Sequence, residues 1–267
     1  VKAAFDHIAQ HYDGDFTNTL VGKSQRKLVW QHLEKLVNSE KNLKILELNC
    51  GTGEDAIWLA QKGHDVWATD ISEEMIICVN NKANQYDLAG SVNTKASNIQ
   101  EISEVFKGKE FDLVFSNFGG LNCLLPEEIA HFFQVQLPNL LKPNGRFVGV
   151  IMPQFSLFES TYFFLSLQWR KIFRRLSRKG IEAKLNENIS VITWYYSTKK
   201  VQKYLSNNLQ IIHQQPIGFF LPPSYLNSSV EKRLKWFKQM EEWEQWAIDM
   251  PFLANFSDHY LIEIIRK

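Results

Sequence analysis

Cysteine is scarce: Cys50, Cys78 and Cys123 are three in 267 residues, an odd number without paired spacing. No disulfide framework can be read from them, and free thiols in a reducing compartment are expected. Charge of one sign is equally lacking. Thirty Lys and Arg stand against twenty-nine Asp and Glu, a net charge of +1, so no global field draws the chain to nucleic acid. No uninterrupted apolar run of about eighteen residues is present for a membrane span, and the N-terminus as given carries no secretory leader pattern. A cytoplasmic protein is the expectation. No Pro/Gly/Ser-rich linker, internal repeat or low-complexity tract divides the chain, and 45% of it is hydrophobic, enough for one large α/β domain with insertions.

What is present centres on residues 44–70. The apolar run Lys44-Ile45-Leu46 leads into Glu47-Leu48-Asn49-Cys50-Gly51-Thr52-Gly53, and Asp70 closes the next apolar run, Val66-Trp67-Ala68-Thr69. A strand, a glycine turn, a helix over residues 55–62 and a second strand ending in a carboxylate form a mould for an adenosine-containing cofactor. Gly51 and Gly53 can take positive φ and carry no Cβ, so the chain can lie against a ligand. The first N–H groups of the following helix suit a carboxylate or phosphate. Asp70 can accept hydrogen bonds from both ribose hydroxyls. Gly51-Thr52-Gly53-Glu54-Asp55-Ala56 also reads as the G-x-G-x-x-A variant of a nicotinamide fingerprint. Glu47 separates the two readings: it could meet an ammonium group, whereas it would repel a pyrophosphate.

With Glu47 ahead of the glycines, residues 47–53 resemble the first motif of the class I S-adenosylmethionine (SAM) dependent methyltransferases, acidic-x-Gly-x-Gly-x-Gly. Asn49 stands for the first glycine, and Asn tolerates the left-handed region. Further resemblances follow in order over residues 1–151 and the final strand. Asp70-Ile71-Ser72-Glu73-Glu74-Met75 is similar to the second motif, which implies that Asp70 binds ribose and Ile71 packs on adenine, with Met75 nearby. Ser97-Asn98-Ile99 stands where the family reads the adenine amino group, a role Asn98 could fill through its carbonyl oxygen. Phe111 to Phe118 resembles the fourth strand, placing Asn117 and Phe118 beside donor and acceptor. Leu141 to Phe147 resembles the loop into the fifth strand. The resemblance implies a Rossmann-like α/β fold, a mostly parallel seven-stranded sheet with helices on both faces. Its last strand would enter antiparallel beside the fifth.

Phe5-Asp6-His7-Ile8-Ala9-Gln10-His11-Tyr12-Asp13 resembles the opening of many small-molecule enzymes of this class. Residues 1–40 are expected to form a helical lid, with Tyr12 over the methionine end of the cofactor. His7 and His11 are spaced as a helical metal pair, but no third ligand accompanies them and no metal is expected. Arg26, on a helix from Ser24 to Val37, could reach the cofactor carboxylate; a solvated face is the alternative. Residues 41–152 form the cofactor-binding core of the single domain, and residues 153–197 and 221–256 are insertions expected to cap the substrate.

In the first insertion, Phe158, Tyr162, Leu165, Trp169, Ile172, Phe173 and Leu176 recur at helical spacing. Arg170, Lys171, Arg174, Arg175, Arg178 and Lys179 crowd the other side of the same expected helix. They suggest contact with an anionic substrate or a peripheral membrane surface, against a plain solvated basic face. Residues 189–197 read as a strand. The second insertion brings Phe219, Phe220 and Tyr225, then a helix with Trp236, Phe237, Trp243 and Trp246.

The fourth-strand loop Asn117-Phe118-Gly119-Gly120 differs from the Asn/Asp-Pro-Pro-Tyr/Phe signature of base-flipping enzymes, which argues against nucleic acid as substrate. Gly119 and Gly120 are expected to leave room for a small molecule. Methyl transfer would need a desolvated, aligned nucleophile and, for a hydroxyl acceptor, a base. His11, Tyr12, His213 and His259 are the candidates. The acceptor is expected to be small and largely apolar, aromatic or lipid-like. A nicotinamide oxidoreductase and a noncatalytic SAM-binding scaffold remain the alternatives.

Overall fold

The computed structural model describes residues 3–40, 42–186 and 189–267. Its main sheet has seven strands in the order β3-β2-β1-β4-β5-β9-β8. In sequence these are β1 (Lys44–Leu48), β2 (Asp65–Asp70), β3 (Ser91–Ala96), β4 (Phe111–Ser116), β5 (Leu141–Ile151), β8 (Leu209–Ile217) and β9 (His259–Arg266). A separate hairpin pairs β6 (Ile181–Lys184) with β7 (Ser190–Thr193). Strands β1 to β5 run parallel, and β9 is antiparallel to both its neighbours. The arrangement is the expected mostly parallel seven-stranded sheet.

Helices cover both faces because central strands such as Ile45-Leu46-Glu47-Leu48 are buried on both sides. One core contains Ile45, Val66, Phe115 and Val148 with α2 (Leu20–Val37) and α3 (Glu54–Gln61). The other contains Leu46, Val114 and Phe147 with α6 (Pro126–His131) and α7 (Leu137–Leu140). Side chains start several helices. Thr19 accepts the Gly22 N–H to cap α2, and Ser72 accepts the Met75 N–H to cap α4 (Glu73–Ala83). Shorter helices are α1 (Ala9–Tyr12), α5 (Ile102–Val105), α9 (Thr198–Tyr204) and α10 (Asn227–Glu231).

The segment lying over the strand ends is residues 3–17, where α1 runs into a π turn, Asp13–Thr17. Helix α2 belongs instead to the core, through Leu28, Val29, Leu33 and Val37. Two carboxylates latch the segment down. Asp6 Oδ1 accepts the Ser72 hydroxyl at 2.6 Å. Asp13 accepts the Thr52 hydroxyl at 2.6 Å and pairs with Lys82 at 2.6 Å.

The first insertion departs from expectation. Its long amphipathic helix is instead α8 (Leu157–Leu165), followed by single turns at Trp169–Lys171 and Arg174–Leu176. Leu167 at φ 57° breaks the helix. The basic face is divided as well: Arg170, Lys171 and Arg178 are exposed, but Arg174 pairs with Glu159 at 2.7 Å. Arg175 is buried between Glu159 and Asp258 at 2.7 Å from each. Two of the six cations assigned to a membrane or anionic surface therefore serve as internal ties. In the second insertion α11 (Leu234–Ala247) places Phe237 and Met240 in the core. Among the described residues no helix is long and apolar enough to cross a membrane.

Candidate functional site

At the carboxyl ends of β1, β2 and β4 lies a cleft of about 130 Å³, lined by Phe5, Tyr12, Asn49, Gly51, Asp70, Ile71, Met75, Asn117, Phe118, Gly119, Gly120 and Cys123. The topology explains its place: neighbours β2 and β4 leave β1 on opposite sides of the sheet, opening a crevice beyond the strand ends.

The turn after β1 is built as a left-handed sequence. Asn49 takes φ 53°, Gly51 φ 53° and Gly53 φ 82°. The two glycines do different work. A Cβ on Gly51 would meet only Tyr12 Cε1, at 3.7 Å, so its missing side chain opens the cleft. A Cβ on Gly53 would lie 2.7 Å from Val79 Cγ1, so that glycine lets α4 pack against the turn rather than admitting a ligand. Gly120 also serves the protein: its Cβ would lie 2.5 Å from Asn49 Cβ. The space expected there for substrate is taken by Asn49.

Asp70 stands in the cleft wall, its two oxygens accepting the Gly51 N–H at 3.0 Å and the Ser72 N–H at 2.9 Å. Burial raises its pKa despite these bonds. Glu47 is 1% exposed and lies deeper, outside the cleft lining. Its Oε2 has no hydrogen-bond partner. Burial first, then the charge of Asp55, pushes its carboxyl well above the ordinary range, with Arg26 opposing. A buried carboxylate oxygen left unpaired costs stability, which a cationic ligand group would recover.

Arg26 corrects the reading of a solvated face. It is buried, pairs with Asp55 at 3.1 Å, and holds its guanidinium 5.3 Å from the centre of the Phe118 ring. Asp55 also accepts from Trp30 at 2.6 Å and from Asn117 at 2.9 Å. This hub fixes the floor under Phe118, whose backbone sits at φ 40°. Sequence reasoning missed the hub because a charged residue on a helix ordinarily faces water. The apolar neighbours Val29, Trp30 and Leu33, at i+3, i+4 and i+7 from Arg26, were the available signal.

Of the adenine-side candidates, Ile71 is exposed and lines the cleft, and Met75 is buried in its wall. Ser97, Asn98 and Ile99 are not brought into that wall. Asn98 Oδ1 accepts the Gln100 N–H at 3.0 Å to cap a single turn, and Ile99 packs in the core.

The base candidates separate clearly. His11 is exposed, as is His7. Burial pushes the Tyr12 phenol up to about 12, so it stays protonated and acts as a wall. His213 lies mid-strand, stacked on His32 at 4.6 Å. His259 packs on the cleft lining: its ring lies edge-on against Phe118, centroids 5.8 Å apart. Asp258 Oδ2 lies 3.1 Å from its Nδ1.

Residues 45–145 match a family model described as a methyltransferase domain. Over 148 residues the chain is 30% identical to a demethylmenaquinone methyltransferase of Clavibacter sepedonicus, covering 55% of this chain and 56% of that one. A tRNA 5-carboxymethoxyuridine methyltransferase of Escherichia coli is 31% identical over 74 residues, 27% of this chain and 28% of that one. The chain thus spans little more than half of the first relative and about a quarter of the second. A SAM-dependent methyltransferase of Clostridium acetobutylicum superposes with a TM-score of 0.60 over 99% of both chains at 15% identity, a likeness of fold. Strand order, the left-handed turn between Glu47 and Asp70, and the matched model together show a methyltransferase domain over residues 45–145 of this chain, in a fold like that of the Clostridium enzyme.

Proposed function

We propose that this protein is an enzyme that binds SAM in the cleft and transfers its methyl group to a small, largely apolar, aromatic or lipid-like acceptor. The observation that carries the reading is the turn itself, where Gly51 opens onto the cleft beside the carboxylate Asp70, with the unpaired buried oxygen of Glu47 lying deeper, outside the lining. Asp70 suits the ribose hydroxyls, Ile71 and Met75 suit the adenine face, and Glu47 suits the amino-acid ammonium. When bound, SAM supplies an electrophilic methyl group and a neutral sulfide leaving group.

The chain's own part is positioning and desolvation. Phe5 and Tyr12 narrow the cleft below the roughly 300–1,000 Å³ of ordinary small-molecule sites, so residues 3–17 swing outward to admit a nucleoside and reclose over it. Phe118, held by Arg26 and His259, forms the wall nearest the acceptor. For a hydroxyl or enol acceptor, His259 takes the proton, oriented by Asp258. The apolar character of the acceptor is supported by the aromatic second insertion, and by the quinone substrate in the name of the Clavibacter relative.

Calorimetry with S-adenosylhomocysteine (SAH) and with NAD tests the cofactor assignment, with SAH expected to bind and NAD not. Binding of NAD alone would overturn it. Methyl transfer from labelled SAM to a hydroxylated naphthoquinone is the test of turnover. Binding of SAH without transfer to any phenolic, quinone or lipid acceptor would favour the scaffold alternative.

A further inference from the structure

The two insertions enclose a second cavity, of about 630 Å³, that shares no lining residue with the cofactor cleft. Its floor is buried and apolar, made by Val230, Phe237 and Met240. Leu165 of α8 and Trp236 and Trp243 of α11 stand exposed at its edge, 73%, 55% and 45% accessible. Large apolar side chains left in water around an apolar hollow mark a place that a ligand covers.

The charges around this hollow are of one sign. Lys232 and Arg233, at the junction of α10 and α11, are the charged residues of the lining, and no Asp or Glu is among them. Both are exposed, and neither forms an ion pair among the described residues. In the first insertion, by contrast, arginines are consumed internally, Arg174 by Glu159 and Arg175 by Glu159 and Asp258. The unpaired cations at the rim therefore single out an anionic group as the complement to an otherwise apolar ligand.

The walls are held firmly enough to be a site. Glu244 on α11 is completely buried, and its carboxylate accepts the N–H groups of Gly218 at 2.8 Å, Phe219 at 3.1 Å, Phe220 at 2.7 Å and Leu221 at 3.2 Å. One side chain thus fixes the loop that presents Phe219 and Phe220 to the cavity. Met240 sits one helical turn before Glu244, so the same helix anchors the loop and forms the floor.

We propose that this cavity is a binding site for a single-chain anionic amphiphile, a fatty carboxylate or alkyl phosphate, with its chain against Phe237 and Met240 and its head at Lys232 and Arg233. The proposal concerns a site apart from the cofactor cleft and stands whatever the methyl acceptor proves to be.

The test is calorimetric titration of the intact chain with octanoate, decanoate and dodecanoate below their micellar concentrations. Saturable one-to-one binding is expected, tightening by about fourfold per added methylene, the increment for burying one such group. Ser229→Trp and Thr161→Trp place a large ring into the cavity from opposite helices. Each should weaken dodecanoate at least tenfold while SAH affinity and melting temperature stay within error. The double variant Lys232→Glu/Arg233→Glu should weaken dodecanoate similarly and leave the neutral dodecanol unchanged. Absence of saturable binding, or equal binding by whichever cavity-filling variant remains folded, overturns the site. Equal dodecanoate affinity in the charge-reversed variant overturns the anionic head.

Discussion

Arg175 reaches across the molecule to Asp258, with Nη2 2.7 Å from Oδ1 and Nη1 2.9 Å from the Asp258 carbonyl oxygen. The same Nη2 donates to Glu159 Oε2 at 2.7 Å. One buried guanidinium thereby ties the first insertion to the residue preceding His259. Arg175→Met would leave two buried carboxylates short of their partner and is expected to cost about 3–5 kcal/mol. Urea unfolding measures this, and a loss under about 1 kcal/mol, the worth of an exposed pair, would contradict the role.

The same cluster sets an acid limit. Burial opposes the charge on Asp258, yet His259 and Arg175 hold its carboxyl well below the usual range. Burial likewise opposes the charge on Glu159, which Arg175 and Arg174 hold down. For an acid whose pKa is depressed on folding, the stability gained is complete above the unfolded values of about 3.9–4.3 and is lost as pH falls through and below them. The melting temperature should fall steeply below about pH 5 and less steeply in Arg175→Met. Calorimetric scans of the two proteins over the acid range give the comparison.

Glu47 has the opposite sign. Its carboxyl is raised by burial and by Asp55, so the ligand-free protein holds this proton to higher pH than an ordinary carboxyl. Its contribution to stability is lost as pH rises from the unfolded value through the folded one. A ligand ammonium beside Oε2 favours the carboxylate and expels the proton. SAH binding measured in buffers of different ionisation enthalpy should therefore show proton release at mildly acidic pH. Glu47→Gln should abolish the release and weaken SAH about 10- to 150-fold, the worth of a charge-assisted bond.

Asp13 holds the lid through Thr52 and Lys82. Asp13→Ala should speed amide exchange within residues 4–17, leave β1 and β4 protected, and quicken SAH dissociation. Exchange followed by mass spectrometry, with stopped-flow release, separates this from general destabilisation.

Gly53 and Gly63 share positive φ, 82° and 90°, but only the first is crowded, since a Cβ on Gly63 meets nothing within 4 Å. Ala at either position carries backbone strain of about 1–2 kcal/mol. Gly53→Ala should lose about 1–3 kcal/mol more, because Val79 must move. Equal losses in chemical denaturation would mean that Val79 yields freely.

The turn and the strands around it were legible because the information is local. Glu47, Asn49, Gly51 and Asp70 lie within 24 residues, and backbone sterics there leave few alternatives. Asn49 does take the left-handed conformation its side chain tolerates. The insertions were not legible in the same way. Apolar spacing from Phe158 to Leu176 satisfies a helical period, yet the chain breaks at Leu167 and folds back. Arg26 and Arg175 were legible as cations, but their burial depends on Asp55 and Asp258, 29 and 83 residues away.

The mostly parallel sheet was implied by a family resemblance, whereas the amino-acid order by itself determined the left-handed turn and the acidic residue near the end of each of the first two strands. Those features follow from steric limits and side-chain period within short stretches. Tertiary structure alone decided which glycine opens the cleft and which makes room for Val79 or Asn49, which histidine meets Phe118, and which cations remain free at the rim of the second cavity. Each of these is a matter of distance between segments far apart in the chain. Burial and pairing, which set the charge and the reach of a side chain, come into being only when those segments pack together.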